Sequence, residues 1–195
     1  MDTKAFYESI NQSLFAGKIS TKQTQAIDQI LAEYDKIALN DLRKLAYILA
    51  TVYHETGHTM QPVEERGKGK GYDYGKKLKR GAGPGRRIPY TNPDQLYYGR
   101  GLVQLTWYEN YQAMGKIAGI DLLNHPELML NMEVSIDVLF DGMINGSFTG
   151  FKLSDFFNDK TTDFVNARKI INGTDQAERI AGYAERFYAA LSLIK

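Results

Sequence analysis

Apolar residues in the first part of the chain recur at the three- and four-residue spacing of amphipathic helices. Three consecutive sets share one helical face each. They are Phe6, Ile10 and Leu14; then Ile27, Ile30, Leu31 and Tyr34; then Leu42, Leu45, Ala46, Leu49, Val52 and Tyr53. Strands would need an alternation of period two, which is lacking here, so this part of the chain is predicted to fold as three helices.

Polar residues and glycine mark the ends of these predicted helices. Ser20 is expected to cap the second helix, and Asn40 or Asp41 to cap the third. The third helix carries Glu55 at its C-terminal end, and Gly57 is a natural helix stop just beyond it.

A glycine-rich segment at 66–97 interrupts the helical pattern. It contains seven glycines and three prolines, which predicts a long loop with at most a short hairpin. Residues 66–87 hold nine lysines or arginines against one aspartate, a net charge of +8, so the rest of the chain sums to about −7. Two interpretations stay open: a solvated insertion, or a clamp that attracts an anionic polymer.

Helical spacing resumes beyond this segment. It predicts helices over about 106–118, 132–145, 161–171 and 175–193. Asp175 followed by Glu178 resembles a capping box for the last helix. The sequence therefore predicts a mainly α protein, two-lobed and forming a single catalytic domain over residues 1–195. The segment 66–97 would be its glycine-rich basic loop or small inserted lobe, with at most a small β-hairpin.

The composition excludes several classes of protein. A hydrophobic content of 43% over 195 residues is enough for a well-buried domain, and the absence of cysteine excludes a disulfide framework. The net charge of +1 argues against a general polyanion-binding protein. We expect neither a secretory signal, whose apolar core is lacking, nor a membrane span, which needs roughly 20 apolar residues.

The pentapeptide His54-Glu55-Thr56-Gly57-His58 matches the zinc-peptidase pattern H-E-x-x-H. In that pattern two histidines one helical turn apart bind the metal, and the glutamate activates a metal-bound water. Gly57 weakens the interpretation, since glycine costs about 1 kcal/mol in a helix interior. The remaining histidine, His125, lies in a loop-like sequence and is a poor third ligand. The alternative is that His54 and His58 support a catalytic Glu55.

Glu55 and Glu64 form a candidate pair of the kind that glycoside hydrolases use. Those enzymes place one protonated carboxylic acid and one ionised carboxylate beside the scissile bond. Partial burial on an apolar helix would raise the pKa of Glu55, as a general acid requires. Glu64 lies beside the glycine-rich segment, where solvent would keep a general base ionised. Spacing alone does not prove the pair, because any globular chain holds many glutamates.

The run from Tyr97 to Tyr111 is dense in aromatic and amide side chains. Gln104 and Asn110 offer donors and acceptors suited to sugar hydroxyl and N-acetyl groups. Tyr98 and Trp107 have rings that suit stacking on pyranose faces, although core packing is the commoner role of such aromatic residues. The run is thus a candidate sugar-binding segment.

This run, Y-Y-G-R-G-L-V-Q-L-T-W-Y-E-N-Y, resembles glycoside hydrolase family 19 where it follows H-E-T-G and a second glutamate. That family contains plant-type chitinases and phage or bacterial endolysins. Ile170-Ile171-Asn172-Gly173 and Glu178-Arg179-Ile180 resemble its later segments, so the resemblance covers residues 40–195. The short spacing of the two glutamates, the small size and the lack of cysteine favour the endolysin or lysozyme-type branch. The resemblance implies a lysozyme-like or chitinase-like helical fold.

The resemblance also implies roles for individual residues. Glu55 would be the general acid and Glu64 the general base, while Thr106 would help to hold the attacking water. His54 and Arg179 would support the acid, with Arg179 pairing near it and helping to set its protonation. Substrate contacts are expected from Tyr98, Gln104, Trp107, Asn110 and Asn172. The implied mechanism is inverting, through direct attack by water, with no metal and no cofactor.

We therefore expect a peptidoglycan-degrading endolysin that hydrolyses β-1,4-glycosidic bonds of the bacterial cell wall. It would act as a monomer on glycan strands, with no nucleic acid partner and no integral membrane segment. Lacking a signal peptide, it would be made in the host cytoplasm and reach the cell wall through a holin-type lesion, or act extracellularly. Two alternatives remain: a chitinase acting on N-acetylglucosamine polymers, and a zinc metallopeptidase.

Overall fold

The computed structural model describes residues 3–194 and is mainly helical. The helices are α1 (Lys4–Ser13), α2 (Thr21–Lys36), α3 (Leu42–Glu55), α4 (Tyr108–Ala118), α5 (Met132–Asn145), α6 (Leu153–Phe156) and α7 (Ala177–Leu191). The strands are β1 (Val63–Glu64), β2 (Leu78–Arg80), β3 (Arg87–Pro89) and β4 (Arg100–Gly101). Short 3₁₀ turns occur at Asp73–Gly75, Pro126–Leu130 and Asn166–Ile170. With 51% helix and 7% strand, the predicted mainly α class is confirmed.

The chain divides into two compact units. The first contains the chain up to Gln61 and the chain from Phe140 onward, and the second is Pro62–Leu139. Helix α5, which has the predicted bounds, contributes residues to both. Between residues 3 and 194, no helix has the length and apolar character that crossing a membrane requires.

Helix α3 forms the centre of the first unit. Every residue from Leu45 to Tyr53 is buried, so the helix is covered on all sides. Helices α2 and α7 pack against α3, and α1 packs against α7. Helix α7 presents an apolar face made of Ile180, Ala184, Phe187 and Leu191. The position of Glu55, the last residue of α3, is therefore fixed by core packing.

The predicted starts of α2 and α3 are confirmed. Ser20 Oγ accepts a hydrogen bond from the main-chain nitrogen of Gln23, whose side chain accepts one from Ser20 N, which completes a capping box. Asp41, rather than Asn40, caps α3 by accepting a hydrogen bond from Arg43 N at 3.0 Å.

The helix predicted over 161–171 is wrong. This stretch forms a turn followed by the 3₁₀ turn Asn166–Ile170. The Asp163 carboxylate accepts hydrogen bonds from Asn166 N at 2.9 Å and Asn166 Nδ2 at 2.8 Å. A local side-chain bond of this kind competes with the helical ladder, which explains why the short turn replaces a longer helix.

Two other helices begin two residues later than predicted, because a residue with positive φ precedes each of them. Helix α4 begins at Tyr108, after Trp107 with φ 79°. Helix α7 begins at Ala177, after Gln176 with φ 58°, and has no side-chain cap. The predicted capping box at Asp175 is therefore wrong.

The second unit contains two small antiparallel sheets. Strands β2 and β3 form a hairpin within 66–97, as the sequence allowed. The pairing of β1 with β4 was not predicted; it places Val63 opposite Gly101 and Glu64 opposite Arg100. The two-residue strands are too short to leave an alternating pattern in the sequence, yet this pairing positions Glu64.

Gly101 lies where the second unit has no room for a side chain. Its φ is +86°, and an added Cβ would lie 2.6 Å from Ser135 Oγ and 3.0 Å from the carbonyl oxygen of Met129. We expect Gly101→Ala to lower the free energy of unfolding by about 3 kcal/mol. Gly119→Ala is the matched control, since Gly119 has φ +67° and no atom within 4 Å, and should cost about 1 kcal/mol. Urea denaturation measures both; equal losses would contradict the steric argument.

Candidate active site

Glu64 lies at the end of β1 and is surrounded by hydrogen-bond donors. The Tyr98 hydroxyl donates to Glu64 Oε1 at 2.6 Å, Lys68 Nζ lies 3.1 Å from Oε2, and Arg100 Nε lies 3.6 Å from Oε1. The hydrogen bond from Tyr98, followed by Lys68 and Arg100, holds the pKa of Glu64 below its usual value, against the opposing effect of burial. The side chain is 32% exposed. A carboxylate that is ionised and reachable by water has the properties of a general base.

Tyr98 is buried beside Glu64, to which its hydroxyl donates. The residue is 6% exposed, and the Arg100 guanidinium lies 3.7 Å from the centroid of its ring. Arg100 is itself buried and donates through Nη1 to Leu96 O at 3.0 Å and to the Tyr111 hydroxyl at 3.1 Å. These contacts leave little of Tyr98 exposed for stacking, so contact with a sugar stays a prediction for this residue.

Thr106 lies in a strained turn just before α4. Gln104 and Trp107 have φ of 53° and 79°, values that are uncommon for residues other than glycine. The Thr106 hydroxyl donates to Gln104 O at 2.8 Å, and Asn110 Nδ2 donates to Thr106 O at 2.9 Å. The proton of the hydroxyl is thus used inside the turn, which leaves its oxygen able to accept a hydrogen bond from a water. Strain of this kind concentrates at functional sites.

Two of the three amides predicted to bind substrate, Gln104 and Asn110, hold the main chain. Gln104 Nε2 donates to Val63 O at 3.0 Å and to Gly101 O at 3.3 Å, and the Asn110 amide nitrogen is bonded within the turn. Gly99 leaves room for this arrangement, since an added Cβ would lie 2.8 Å from Gln104 Oε1. Gln104 Nε2 thus makes two hydrogen bonds and Asn110 Nδ2 makes one, and contact with a sugar stays a prediction for both residues.

Trp107 is half-buried and has one covered ring face. The guanidinium of Arg87 lies 3.5 Å from the centroid of the Trp107 ring system, and Tyr74 meets it edge-on at 5.4 Å. Any sugar stacking is therefore limited to the opposite face.

Glu55 contacts a buried arginine in the first unit. The carboxylate side chain is 13% exposed and accepts a hydrogen bond from Arg168 Nη1 at 2.5 Å, while the Arg168 side chain is 4% exposed. Arg168 Nε donates to Asp175 O at 3.0 Å, which fixes the guanidinium from its other side. Charge-assisted bonds of this kind hold a carboxylate in one orientation. The exposed Asn172 follows, with its main-chain nitrogen bonded to Arg168 O at 2.9 Å.

The arginine on Glu55 is therefore Arg168 and not the predicted Arg179. Arg179 is exposed in the first turn of α7, and it makes no ion pair with the part of the chain that the structure describes. Burial lowers the pKa of His54, and both Arg168 and Arg179 add to this effect. Arg168 was missed because it stands in the segment for which the sequence predicted an ordinary helix.

The H-E-x-x-H interpretation requires one helix through both histidines, whereas α3 ends at Glu55. Gly57 and His58 have left-handed φ of 58° and 72°, so the chain turns away as the predicted helix stop implied. The His58 ring stacks on Tyr53 with 4.0 Å between centroids. His54 and His58 thus do not share one helical face. Among residues 3–194, no cluster of three or more metal-ligating side chains is found.

The structure groups the predicted site residues into two sets. The second unit contains Glu64, Tyr98, Gln104, Thr106, Trp107 and Asn110, and the first unit contains His54, Glu55, Asn172 and Arg179. Each set has one glutamate: Glu64 is held by Tyr98, which the sequence singled out for a different role, and Glu55 is held by Arg168, which the sequence did not single out.

Comparison with known proteins identifies relatives of both the sequence and the fold. The family model for glycoside hydrolase family 19, described as Chitinase class I, matches residues 23–145. Endochitinase EP3 from Arabidopsis thaliana is 40% identical over 85 residues, which cover 44% of this chain and 28% of that protein. Endochitinase At2g43590 from the same plant is 36% identical over 87 residues, covering 45% of this chain and 30% of that protein.

Solved structures show the same fold at low sequence identity. Chitinase C from Streptomyces griseus HUT6037 aligns with a TM-score of 0.65 and 20% identity, over 98% of this chain and 76% of that one. A bacterial family 19 chitinase aligns with a TM-score of 0.61 and 24% identity, over 99% and 95%. The matched plant proteins are named endochitinases, so these comparisons support the chitinase alternative better than the expected endolysin. The match spans less than a third of the length of these plant relatives.

Proposed function

The chain belongs to glycoside hydrolase family 19, and from this premise we propose that it hydrolyses β-1,4 bonds in glycans containing N-acetylglucosamine. The observation that carries the proposal is the pair of glutamates with different surroundings: Glu64 beside solvent with a lowered pKa, and Glu55 oriented by a buried arginine. Chitin is the first candidate substrate, because the matched relatives are named chitinases.

In the proposed mechanism, Glu64 removes a proton from a water that Thr106 helps to orient. The water oxygen forms a bond to the anomeric carbon as the bond from that carbon to the bridging oxygen breaks. Glu55 gives its proton to the departing oxygen, which leaves as a hydroxyl group. Direct attack by water inverts the anomeric configuration, so a β-linked substrate yields an α-product.

Arg168 has a defined part in this scheme. It orients the Glu55 carboxyl group while the acid is protonated, through a donor fixed by Asp175 O. Once Glu55 has given up its proton, the same guanidinium stabilises the carboxylate that results. An interaction that strengthens as charge develops lowers the barrier of the chemical step.

Peptidoglycan is the second candidate substrate, and the observation that favours it is the basic segment 66–87. Nine of its residues are basic and one is acidic. Peptidoglycan alternates N-acetylglucosamine with a sugar that bears carboxylate-containing peptides, whereas chitin is uncharged. A strongly positive surface raises the local concentration of an anionic polymer and has no such effect on a neutral one.

The test is an analysis of products from both polymers. The protein is incubated with chitin oligomers and with purified peptidoglycan, and mass spectrometry identifies each fragment and its reducing-end sugar. Nuclear magnetic resonance recorded during the reaction shows whether the new anomer is α. A chelator control should leave the rate unchanged. Failure to release reducing ends from either polymer would refute the proposed function.

Removing the Tyr98 hydroxyl is expected to shift the acid limb of activity to higher pH. The hydroxyl stabilises ionised Glu64, so Tyr98→Phe raises the pKa of Glu64, and the base is then protonated over a wider acidic range. The midpoint of kcat/KM on the acid side should rise by about one pH unit. Tyr90→Phe, which removes a buried hydroxyl bonded to Gln95 O, is the control and should keep the wild-type midpoint. An unmoved midpoint in Tyr98→Phe would contradict its action through Glu64.

A further inference from the structure

Three arginines gather on the hairpin formed by β2 and β3. Arg80 ends β2, Arg87 begins β3, and Arg86 lies in the connecting turn. Together with Gly83, Pro84 and Gly85 they line an open depression of about 400 Å³. The glycine and proline residues of the turn leave this depression without bulky side chains, so the guanidinium groups are its main chemical feature.

A single carboxylate offsets these three charges. Glu109 accepts a hydrogen bond from Arg87 Nη1 at 2.5 Å and another from Arg80 N at 3.2 Å, and it lies 3.8 Å from Arg80 Nε. The Arg80 side chain is 72% exposed. Arg86 is exposed and has no acidic partner within residues 3–194. The cluster therefore keeps two positive charges and presents unused N–H donors to solvent.

The hairpin is fixed beside the candidate-site residues of the second unit. The Arg87 guanidinium stacks on Trp107, the residue after Thr106, and Glu109 lies in the first turn of α4. Lys79 lies 5.1 Å above the ring of Tyr108, which adds a second contact between hairpin and helix. A polymer held by the arginines would thus lie close to Thr106.

Arginine suits a carboxylate ligand, because its planar fork pairs with the two carboxylate oxygens. Resting on the proposed function, we propose that the depression lined by Arg80, Arg86 and Arg87 binds carboxylate groups of an anionic cell-wall glycan. The substrate would then be a glycan in which N-acetylglucosamine alternates with carboxylate-bearing sugars. Neutral chitin has no carboxylate with which these arginines could pair.

The test measures binding of the intact protein to purified sacculi in the cold, by depletion from solution. The sacculi are stripped of phosphate polymers, and a second batch is amidated at its carboxyl groups so that the glycan is unchanged but uncharged. The variant is Arg80→Gln/Arg86→Gln, in which Arg80 N still bonds Glu109 and Arg87 keeps its stacking. Lys18→Gln/Lys160→Gln removes the same charge from exposed positions of the first unit. Thermal melts verify that all variants are folded.

We expect the arginine variant to bind native sacculi about tenfold more weakly, from two exposed contacts of ordinary strength. The wild type should bind amidated sacculi more weakly than native sacculi by a similar factor. The arginine variant should bind both kinds of sacculi equally, and the lysine control should bind each kind as the wild type does. Equal binding of variant and wild type to native sacculi overturns the inference. So does a dependence on the arginines that appears only when phosphate polymers are retained. Amidation-sensitive binding without release of reducing ends would support the hairpin site and refute the hydrolytic function.

Discussion

Glu55→Gln is expected to lower kcat on an N-acetylglucosamine oligomer by about a thousandfold, the usual contribution of a general acid. The amide cannot supply the proton that the departing sugar oxygen requires. Its oxygen can still accept the hydrogen bond from Arg168 Nη1, so the buried guanidinium keeps a partner and the fold should be retained. Release of reducing ends measures the rate, and a thermal melt verifies folding.

The acid role is separated from a general structural loss by changing the leaving group. An aryl glycoside whose phenol departs without a proton should recover most of its rate in Glu55→Gln. The control is Glu185→Gln, an exposed acid on α7, which should match the wild type on both substrates. If the variant is equally impaired on the aryl glycoside and on the oligomer, Glu55 is not the general acid.

Glu64→Gln is expected to cause a loss of similar size, about a thousandfold in kcat, because the attacking water then lacks a base. An amide can still accept the Tyr98 hydrogen bond, so the network around β1 keeps its geometry. The loss should persist on the aryl glycoside, since a better leaving group does not replace the base. This contrast with Glu55→Gln assigns the two roles.

A small anion supplies a second measurement for the base. In Glu64→Ala, added azide can attack the anomeric carbon without losing a proton, and the expected product is the α-glycosyl azide. Glu127→Gln changes an exposed acid of the same unit and serves as the control. It should keep the wild-type rate without added azide. A β-glycosyl azide would contradict direct inversion, and wild-type rates in Glu64→Gln would remove Glu64 from the mechanism.

The elements that could be predicted from the sequence are those specified by neighbouring residues. The start of α3 depends on Asp41, and its end at Glu55 depends on Gly57 two residues later. The mainly α class follows from apolar spacing in the same way. A helix start that follows a residue with positive φ could not be predicted in this way. Trp107 is the example, because no local rule places a tryptophan in that conformation.

The sequence singled out both glutamates as candidates, but it did not predict which side chains hold them. Arg168 is 113 positions from Glu55, and Tyr98 is 34 positions from Glu64. Neither contact could be read from the spacing of residues in a single sequence, because both contacts depend on how separate elements pack. The aromatic character of Tyr98 suggested a surface for sugars, whereas burial under Arg100 gives it a hydrogen-bonding role. The type of each side chain indicated what it can bind, whereas the packing of the fold determines which partner it contacts.

Because the first unit is formed by two separate parts of the chain, it cannot be completed until the whole second unit has been synthesised. Helix α3 and Glu55 leave the ribosome before the entire second unit, and Arg168 and α7 leave it afterwards. Until Arg168 and α7 emerge, the apolar surface of α3 is not yet covered by α7, and Glu55 does not yet have Arg168 as its partner. A nascent or prematurely terminated chain that stops before Arg168 therefore lacks the partner of Glu55, so the pair of Glu55 and Arg168 can form only after the whole second unit has been synthesised.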